Sequence, residues 1–143
     1  MEINDQNQLV PLLTDFGLAS FPNKNKLGVA GFETVTVNGL SIHITPPEVF
    51  INTVDGNYYA VDIYAYAIVL YEIVNRTQAW IGLDRNQIQQ QVMSSQRPEF
   101  SRNVQHAQNE DQITRSLVHL INMAWVQNPL MRPDAIRIQQ FLS

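Results

Sequence analysis

Cysteine is absent from this sequence, which excludes disulfide bonds, thiolate nucleophiles and cysteine-ligated zinc sites. Charged residues are also few, at 15% of the chain, and the nine lysines and arginines are scattered within a formal net charge of -4. A chain without concentrated positive charge lacks the electrostatic footprint for binding nucleic acid or an anionic membrane. We therefore expect no nucleic acid and no membrane among its partners.

Long hydrophobic runs and an export signal are lacking too. The longest apolar run, residues 60–74, is interrupted by Asp62 and Glu72 and is shorter than the roughly 20 residues of a membrane span. The first five residues contain no basic stretch followed by an apolar core, so they do not indicate a signal peptide. The three histidines lie far apart, without the spacing of metal ligands. These features predict an intracellular, cytoplasmic protein.

Apolar side chains are abundant enough for one folded domain, because hydrophobic residues make up 45% of the 143 positions. Residues 3–13 predict a small β-hairpin whose second strand Pro11 places at an edge. From residue 16 to about residue 56, glycine and proline recur every few positions, and only residues 33–37 alternate well enough for a strand. Such a long connection is typically functional or disordered.

The second half of the chain predicts helices. Residues 59–75 are apolar nearly all round, which indicates a helix buried in the centre of a domain. Asp84 can cap a polar helix over residues 85–93, Asp111 can start another, and Pro133 can open a last one. The residues of the last two helices expected to point inward are Ile113, Leu117, Leu120, Ile121, Ala124, Ile136 and Phe141. The predicted fold is mainly α, with a buried central helix, about three further helices, a small hairpin and a long loop.

Asp15-Phe16-Gly17 stands just after an apolar run and is either an ordinary corner between strand and turn or a carboxylate placed to bind a metal ion. The tripeptide alone is a weak signal, but further motifs follow it in order. They are Pro46-Pro47-Glu48, the helical run 61–73, Ala79-Trp80, Arg97-Pro98, and the stretch from Trp125 through Asn128-Pro129 to Arg132-Pro133.

This order of motifs resembles the C-terminal lobe of a eukaryotic protein kinase, in particular of the tyrosine kinase-like group. The resemblance covers nearly the whole chain and divides it into three parts. Residues 1–17 carry the hairpin and the DFG motif, residues 18–48 form an activation-loop-like segment, and residues 49–143 form a helical body.

The resemblance implies roles for the DFG residues in a complete parent domain. Asp15 would coordinate the magnesium that bridges the phosphates of ATP, and Phe16 would pack under the N-lobe. Gly17 would let the backbone swing, because glycine tolerates positive φ. Glu48 and Arg132 would form an ion pair inside the lobe.

Three further residues gain roles from the resemblance. Ser41 and Thr45 fall in the loop that faces the protein substrate, and Ser41 stands where serine/threonine kinases carry a threonine, which favours that type. Asp62 would accept hydrogen bonds from the backbone of the catalytic loop. Without the resemblance, Asp62 is simply an acid favoured near a helix N-terminus.

Several parts of a complete kinase do not occur in the 143 residues: the glycine-rich loop, the strand lysine and the His-Arg-Asp catalytic loop. No catalytic residue is therefore expected in this chain. Asp15 alone is not expected to bind Mg-ATP well, because magnesium in such sites depends on the nucleotide phosphates as ligands. Departures from the family pattern at Pro46, Ala67, Ala79 and Asn128 leave open a parent that is itself a pseudokinase.

Two functions remain open from the sequence. In the first, the chain is part of an ATP-dependent serine/threonine-type phosphotransferase and is inactive alone. In the second, it is a non-catalytic, kinase-derived interaction or scaffold module. Both predict that the apolar helix 59–75 exposes a face, which is covered by the missing N-lobe and catalytic-loop segment or by a protein partner.

Overall fold

The structure is a computed structural model that describes the backbone of residues 2–3 and 9–10 and, in full, residues 41–51 and 57–143. Short 3-10 turns lie at Ile42–Ile44 and Pro129–Met131. The strands and helices are β1 (Glu2–Ile3), β2 (Leu9–Val10), α1 (Pro47–Phe50), α2 (Tyr58–Asn75), α3 (Arg85–Met93), α4 (Arg102–Glu110), α5 (Gln112–Ala124) and α6 (Ala135–Leu142). The described part is mainly helical, as the sequence predicts.

The two short strands pair antiparallel, with Glu2 opposite Val10 and Ile3 opposite Leu9. The residues between the strands and those that follow β2 lie outside the described part. The hairpin over residues 3–13 therefore stays a prediction, as does the strand over residues 33–37.

Helix α2 is the centre of the helical body and packs mainly on α5. Its inner face consists of buried residues spaced three or four apart, as one face of a helix requires: Ala60, Tyr64, Ala67, Ile68 and Tyr71. The predicted helix over residues 59–75 is confirmed, and one of its faces is exposed, as the sequence analysis expected. Tyr59 is 69% exposed and Ile73 is 66% exposed, and Tyr66 and Val69 also reach the surface.

An aromatic cluster joins α2 to α5 and to the loop before α4. The rings of Tyr71, Phe100 and Trp125 lie with centroids 5.3 to 5.9 Å apart, in tilted geometry. The Tyr71 hydroxyl donates to the Glu99 carbonyl at 2.8 Å. Asn75 donates to that hydroxyl at 3.1 Å and accepts the Ser101 N–H at 2.7 Å. The end of α2 is thereby fixed to residues 99–101.

Helix α3 begins at the predicted cap. The Asp84 carboxylate accepts the Gln87 N–H at 2.9 Å, and the Gln87 side chain accepts the Asp84 N–H at 2.8 Å. This reciprocal capping box satisfies two backbone donors that a helix start leaves unpaired.

Helix α4 is a finding that the sequence analysis missed. Its residues are polar nearly throughout, and Val104 alone among them is buried, so no apolar periodicity reveals it. Asp111 joins α4 to α5: its N–H donates to the Ala107 carbonyl at 2.8 Å, and its carboxylate accepts the N–H groups of Ile113 and Thr114 at 3.3 and 2.7 Å.

The inward face of α5 differs in part from the prediction. Leu120, Ile121 and Ala124 are buried as expected. Ile113 was expected inside and is exposed, because the buried residues of α5 begin only at Val118.

The start of α6 is two residues later than predicted. Asp134, not Pro133, opens the helix, because its carboxylate accepts the Arg137 N–H at 2.8 Å. With this start Ile138 is buried, and the prediction that Ile136 points inward is wrong, because Ile136 is 67% exposed. Phe141 is 39% exposed, and its ring lies 5.7 Å from the ring of His119 on α5. Within the described ranges, no helix is long and apolar enough to cross a membrane.

Candidate functional site

The segment 41–51 carries three of the predicted site residues, Ser41, Thr45 and Glu48. Pro46 is extended and Pro47 is the first residue of α1, as expected for a residue before proline and for proline in a first helical turn. This start places Glu48 in the first turn of α1, where its side chain is buried against the helical body.

Glu48 and Arg132 form a bidentate ion pair across 84 positions of sequence. Arg132 Nη1 lies 2.6 Å from Glu48 Oε1, and Arg132 Nη2 lies 2.9 Å from Glu48 Oε2. The Arg132 side chain is fully buried. Parallel bonds between guanidinium and carboxylate are among the strong charge-assisted hydrogen bonds of proteins.

Arg132 also donates to three backbone carbonyl groups, of which that of Gln127, at 3.5 Å from Nη2, is the most distant. Its Nη1 donates to Ala60 in the first turn of α2 at 2.7 Å, and its Nε donates to Val126 after α5 at 3.0 Å. One side chain thus connects α1, the start of α2 and the segment between α5 and α6.

The Tyr64 ring lies between two guanidinium groups. Arg132 Cζ is 5.0 Å and Arg97 Cζ is 5.2 Å from the ring centroid, within the range of cation–π attraction. Arg97 is held by the Trp125 carbonyl at 2.7 Å and by the Gln127 side chain at 2.8 Å. The ion pair and the aromatic cluster are therefore adjacent parts of one core.

The Tyr64 hydroxyl is buried and has no hydrogen-bond partner. In the described part of the chain, the same is true of Trp80 Nε1. Burial raises the pKa of Tyr64 to about 12, against the opposing influence of Arg97 and Arg132. The hydroxyl is a polar group whose removal from water is not compensated.

Ser41 and Thr45 flank the 3-10 turn Ile42–Ile44. Thr45 is buried, and its hydroxyl donates to the Ser41 carbonyl at 3.1 Å. Ser41 is exposed. Of these two residues, Ser41 is the one whose side chain faces solvent.

A family model of the protein kinase domain matches residues 3–142. This chain belongs to the protein kinase family. A full domain of this family uses magnesium and ATP.

This kinase chain is similar to segments of several longer proteins. It is 30% identical over 130 residues to RGS domain-containing serine/threonine-protein kinase A of Dictyostelium discoideum, a match that covers 91% of this chain and 10% of that protein. It is 35% identical over 85 residues to atrial natriuretic peptide receptor 2 of Rattus norvegicus, covering 57% and 8%. It is 28% identical over 135 residues to ankyrin repeat and protein kinase domain-containing protein 1 of Mus musculus, covering 92% and 17%. The chain thus spans less than a fifth of each of these relatives.

The other predicted site residues of the kinase chain are placed as follows. Asp15, Phe16 and Gly17 lie outside the described residues, so their roles stay predictions. Asp62 is exposed and is the fifth residue of α2, beyond the first turn where the helix dipole acts most strongly. In the described ranges, no group of three or more histidine and acidic side chains is placed to hold a metal ion.

Sequence reasoning missed the contribution of Tyr64 and Arg97 to this site. Tyr64 was assigned only to an apolar helix, and Arg97 only to a short motif. Their contact joins residues that are 33 positions apart, 97 minus 64, and no local periodicity encodes such a contact. In the sequence, the Arg97-Pro98 dipeptide is the feature that could have indicated Arg97. In the structure, this arginine is partly buried.

Replacing Glu48 by Gln is expected to destabilise the kinase chain strongly. Arg132 would keep a buried guanidinium without its counter-charge, which costs about 3–5 kcal/mol of the free energy of unfolding. Urea denaturation followed by circular dichroism measures this loss. As a control, Glu110→Gln at the exposed end of α4 should change stability by less than about 0.5 kcal/mol. Equal effects of the two variants would contradict the importance of the pair.

The variants Tyr64→Phe and Tyr71→Phe each remove the hydroxyl from a buried tyrosine. We expect them to change the free energy of unfolding in opposite directions. Tyr71 loses hydrogen bonds with the Glu99 carbonyl and Asn75, which costs about 1–2 kcal/mol. Tyr64→Phe removes an unpartnered hydroxyl and should raise the free energy of unfolding by up to about 1 kcal/mol. A clear loss of stability in Tyr64→Phe would show that this hydroxyl has a partner.

Alkaline pH provides a second measurement on the Tyr64→Phe variant. The folded pKa of Tyr64 is about 12, above the value of 10.0 for an unperturbed tyrosine. The stability linked to this group is therefore fully present below pH 10 and is lost as the pH rises towards 12. Tyr64→Phe should show a smaller loss between pH 9 and pH 11 than the original chain, whereas equal losses would contradict the assigned burial.

Proposed function

We propose that this chain is the C-terminal-lobe part of a kinase domain of the tyrosine kinase-like group, and that its complete parent is an ATP-dependent serine/threonine-type phosphotransferase. The observation that carries the proposal is the buried pair of Glu48 and Arg132, which ties the end of the activation-loop-like segment to the last helices. The serine/threonine type draws support from Ser41 and from the Dictyostelium relative.

In the proposed parent, this chain supplies two things. Asp15 would contribute a carboxylate ligand for magnesium, Phe16 would pack under the N-lobe, and Gly17 would let the backbone swing. Residues 41–48 form a platform beside the protein substrate: the Thr45 hydroxyl holds the Ser41 carbonyl, and the ion pair fixes Glu48 beneath it. Asp62 would accept backbone hydrogen bonds from the catalytic loop, in agreement with its exposure.

The chain alone is proposed to be inactive. Phosphoryl transfer depends on positioning and on electrostatic stabilisation of the transferred group. The glycine-rich loop, the strand lysine and the catalytic aspartate that provide these do not occur in the 143 residues. Magnesium and ATP therefore belong to the complete domain and are not expected to bind well to this chain.

The alternative function is a non-catalytic interaction module. The exposed apolar face of α2, which includes Tyr59 and Ile73, favours it, because large exposed apolar patches mark interaction surfaces. In a complete domain, this face would be covered by the N-lobe and the catalytic-loop segment. For both functions we propose a cytoplasmic location, without nucleic acid or membrane as partners.

A chimera is expected to separate the two functions. Residues 3–142 of this chain replace the matching segment of RGS domain-containing serine/threonine-protein kinase A. If the chain is a competent C-lobe, the chimera phosphorylates serine or threonine with Mg-ATP, and Asp15→Asn in the chimera lowers the rate by about a hundredfold or more. A folded chimera without activity, beside an active original, would favour the non-catalytic module.

A thermal-shift titration with Mg-ATP tests nucleotide binding by the chain alone. A ligand that binds only the folded form adds about 2.7 kcal/mol of stability when its concentration is a hundred times the dissociation constant. We expect no saturable shift, and we expect the same melting curve for Asp15→Asn. A saturable rise that Asp15→Asn abolishes would overturn this part of the proposal.

A further inference from the structure

Arg97 joins the C-terminal ends of α3 and α5. Its guanidinium donates to the Val92 carbonyl in α3 at 3.5 Å and to the Trp125 carbonyl after α5 at 2.7 Å. Within the described ranges Arg97 forms no ion pair, and the buried carboxylate of Glu48 is already paired with Arg132. Burial lowers the pKa of Arg97, so its positive charge is disfavoured where it lies. The carbonyl dipoles orient the guanidinium, but they do not cancel its net charge.

A cavity of about 210 Å³ opens beside this guanidinium. In the part of the chain that the structure describes, no acidic side chain lines it. The lining residues are Ser95, Arg97, Asn122, Trp125, Val126 and Gln127. The volume is below the roughly 300–1,000 Å³ of sites for drug-sized ligands, so the cavity suits a small ion.

Several hydrogen-bond donors of this lining are free. The Ser95 hydroxyl and the Asn122 amide form no hydrogen bond with any other described residue. The Gln127 Oε1 accepts from Arg97 Nη2 at 2.8 Å, which leaves the Gln127 amide nitrogen and the second hydrogen of Nη2 available. Four donors from four side chains therefore line one cavity.

Ser95 is an unusual residue for its position. It follows α3 with φ of 62°, in the left-handed conformation in which glycine is the ordinary residue. Its N–H donates to the Val92 carbonyl at 3.1 Å, and the Gln96 N–H donates to the Gln91 carbonyl at 2.9 Å, which together form a Schellman cap. The cap places Ser95 on the same carbonyl oxygen that Arg97 Nη1 contacts. A serine here is less stable than a glycine, but it supplies a hydroxyl to the cavity.

We propose that this cavity is an anion site that binds one phosphate group. The Arg97 guanidinium supplies the positive charge, and the hydroxyl and the two amides supply neutral hydrogen bonds. A phosphate group presents at least three acceptor oxygens, which suits four donors better than the two oxygens of a carboxylate. The bound anion is the counter-charge that Arg97 lacks within the described part of the chain.

This site is separate from the surface that a complete kinase domain covers. It lies at the ends of α3 and α5 and uses no residue of the exposed apolar face of α2. The inference therefore applies to either of the two functions proposed above and does not depend on nucleotide binding.

Thermal-shift titrations of the 143-residue chain with inorganic phosphate provide the first test. Chloride keeps the ionic strength constant, and magnesium is omitted because it competes for the phosphate oxygens. The original chain should show a saturable rise in melting temperature that chloride alone does not reproduce. Phosphoserine, titrated in the same way, distinguishes a phosphate ester from the free ion as the preferred ligand. The absence of a saturable rise with both probes up to about 50 mM would overturn the proposal.

Gln127→Glu tests the role of the missing counter-charge. The new carboxylate would accept from Arg97 Nη2 in place of the amide oxygen and would form an ion pair. The variant should therefore melt at a higher temperature without phosphate and show no saturable rise with phosphate. Gln139→Glu makes the same change at an exposed position of α6 and should keep the phosphate affinity within about twofold.

Ser95→Gly separates ligand binding from stability. Glycine suits the left-handed conformation, so the melting temperature without phosphate should rise. The lost hydroxyl should raise the phosphate dissociation constant by about fivefold. Asn122→Asp places a negative charge at the cavity and should raise that constant at least tenfold, with circular dichroism as the check on folding. A phosphate affinity that these two variants and Gln127→Glu leave unchanged would contradict the assigned site.

Discussion

The buried ion pair between Glu48 and Arg132 is the constraint on which the rest of the described structure depends. Arg132 is enclosed by α1, α2 and the segment after α5, and its fork geometry is satisfied only when all three lie in their observed places. A buried pair adds little net stability, because both charges lose their hydration. Its effect is selective: other packings of the same helices would leave a charge unpaired. The pair thus fixes where the loop that ends at Glu48 rests.

Tyr64 shows how closely this polar core is packed. Its ring lies near both Arg97 and Arg132, so the negative face of an aromatic ring helps to accommodate one partly buried and one buried cation. The same packing leaves its hydroxyl without a partner. The position of the ring therefore leaves the Tyr64 hydroxyl oxygen buried without a hydrogen bond.

The sequence predicted the parts of the fold that local chemistry determines. Helix α3 was predicted to the residue, because Asp84 and Gln87 form a complete capping box. Helix α4 was missed because its one buried side chain, Val104, gives no period. The apolar residues all round α2 established a helix but could not show which face is covered, since that depends on contacts far away in sequence. Glu48 and Arg132 were paired through the family resemblance alone, because 84 intervening residues leave no local pattern.

Asp111 ends one helix and begins the next, so a single residue forms the whole junction between α4 and α5. An insertion at this point would separate the C-cap of α4 from the N-cap of α5. One residue would then no longer fix the angle between the two helices. Homologous chains should therefore vary in length elsewhere, for instance between α2 and α3, where nine residues separate positions 75 and 85. The junction fixes the spacing between α4 and α5, so a change of length there would disturb the ends of both helices.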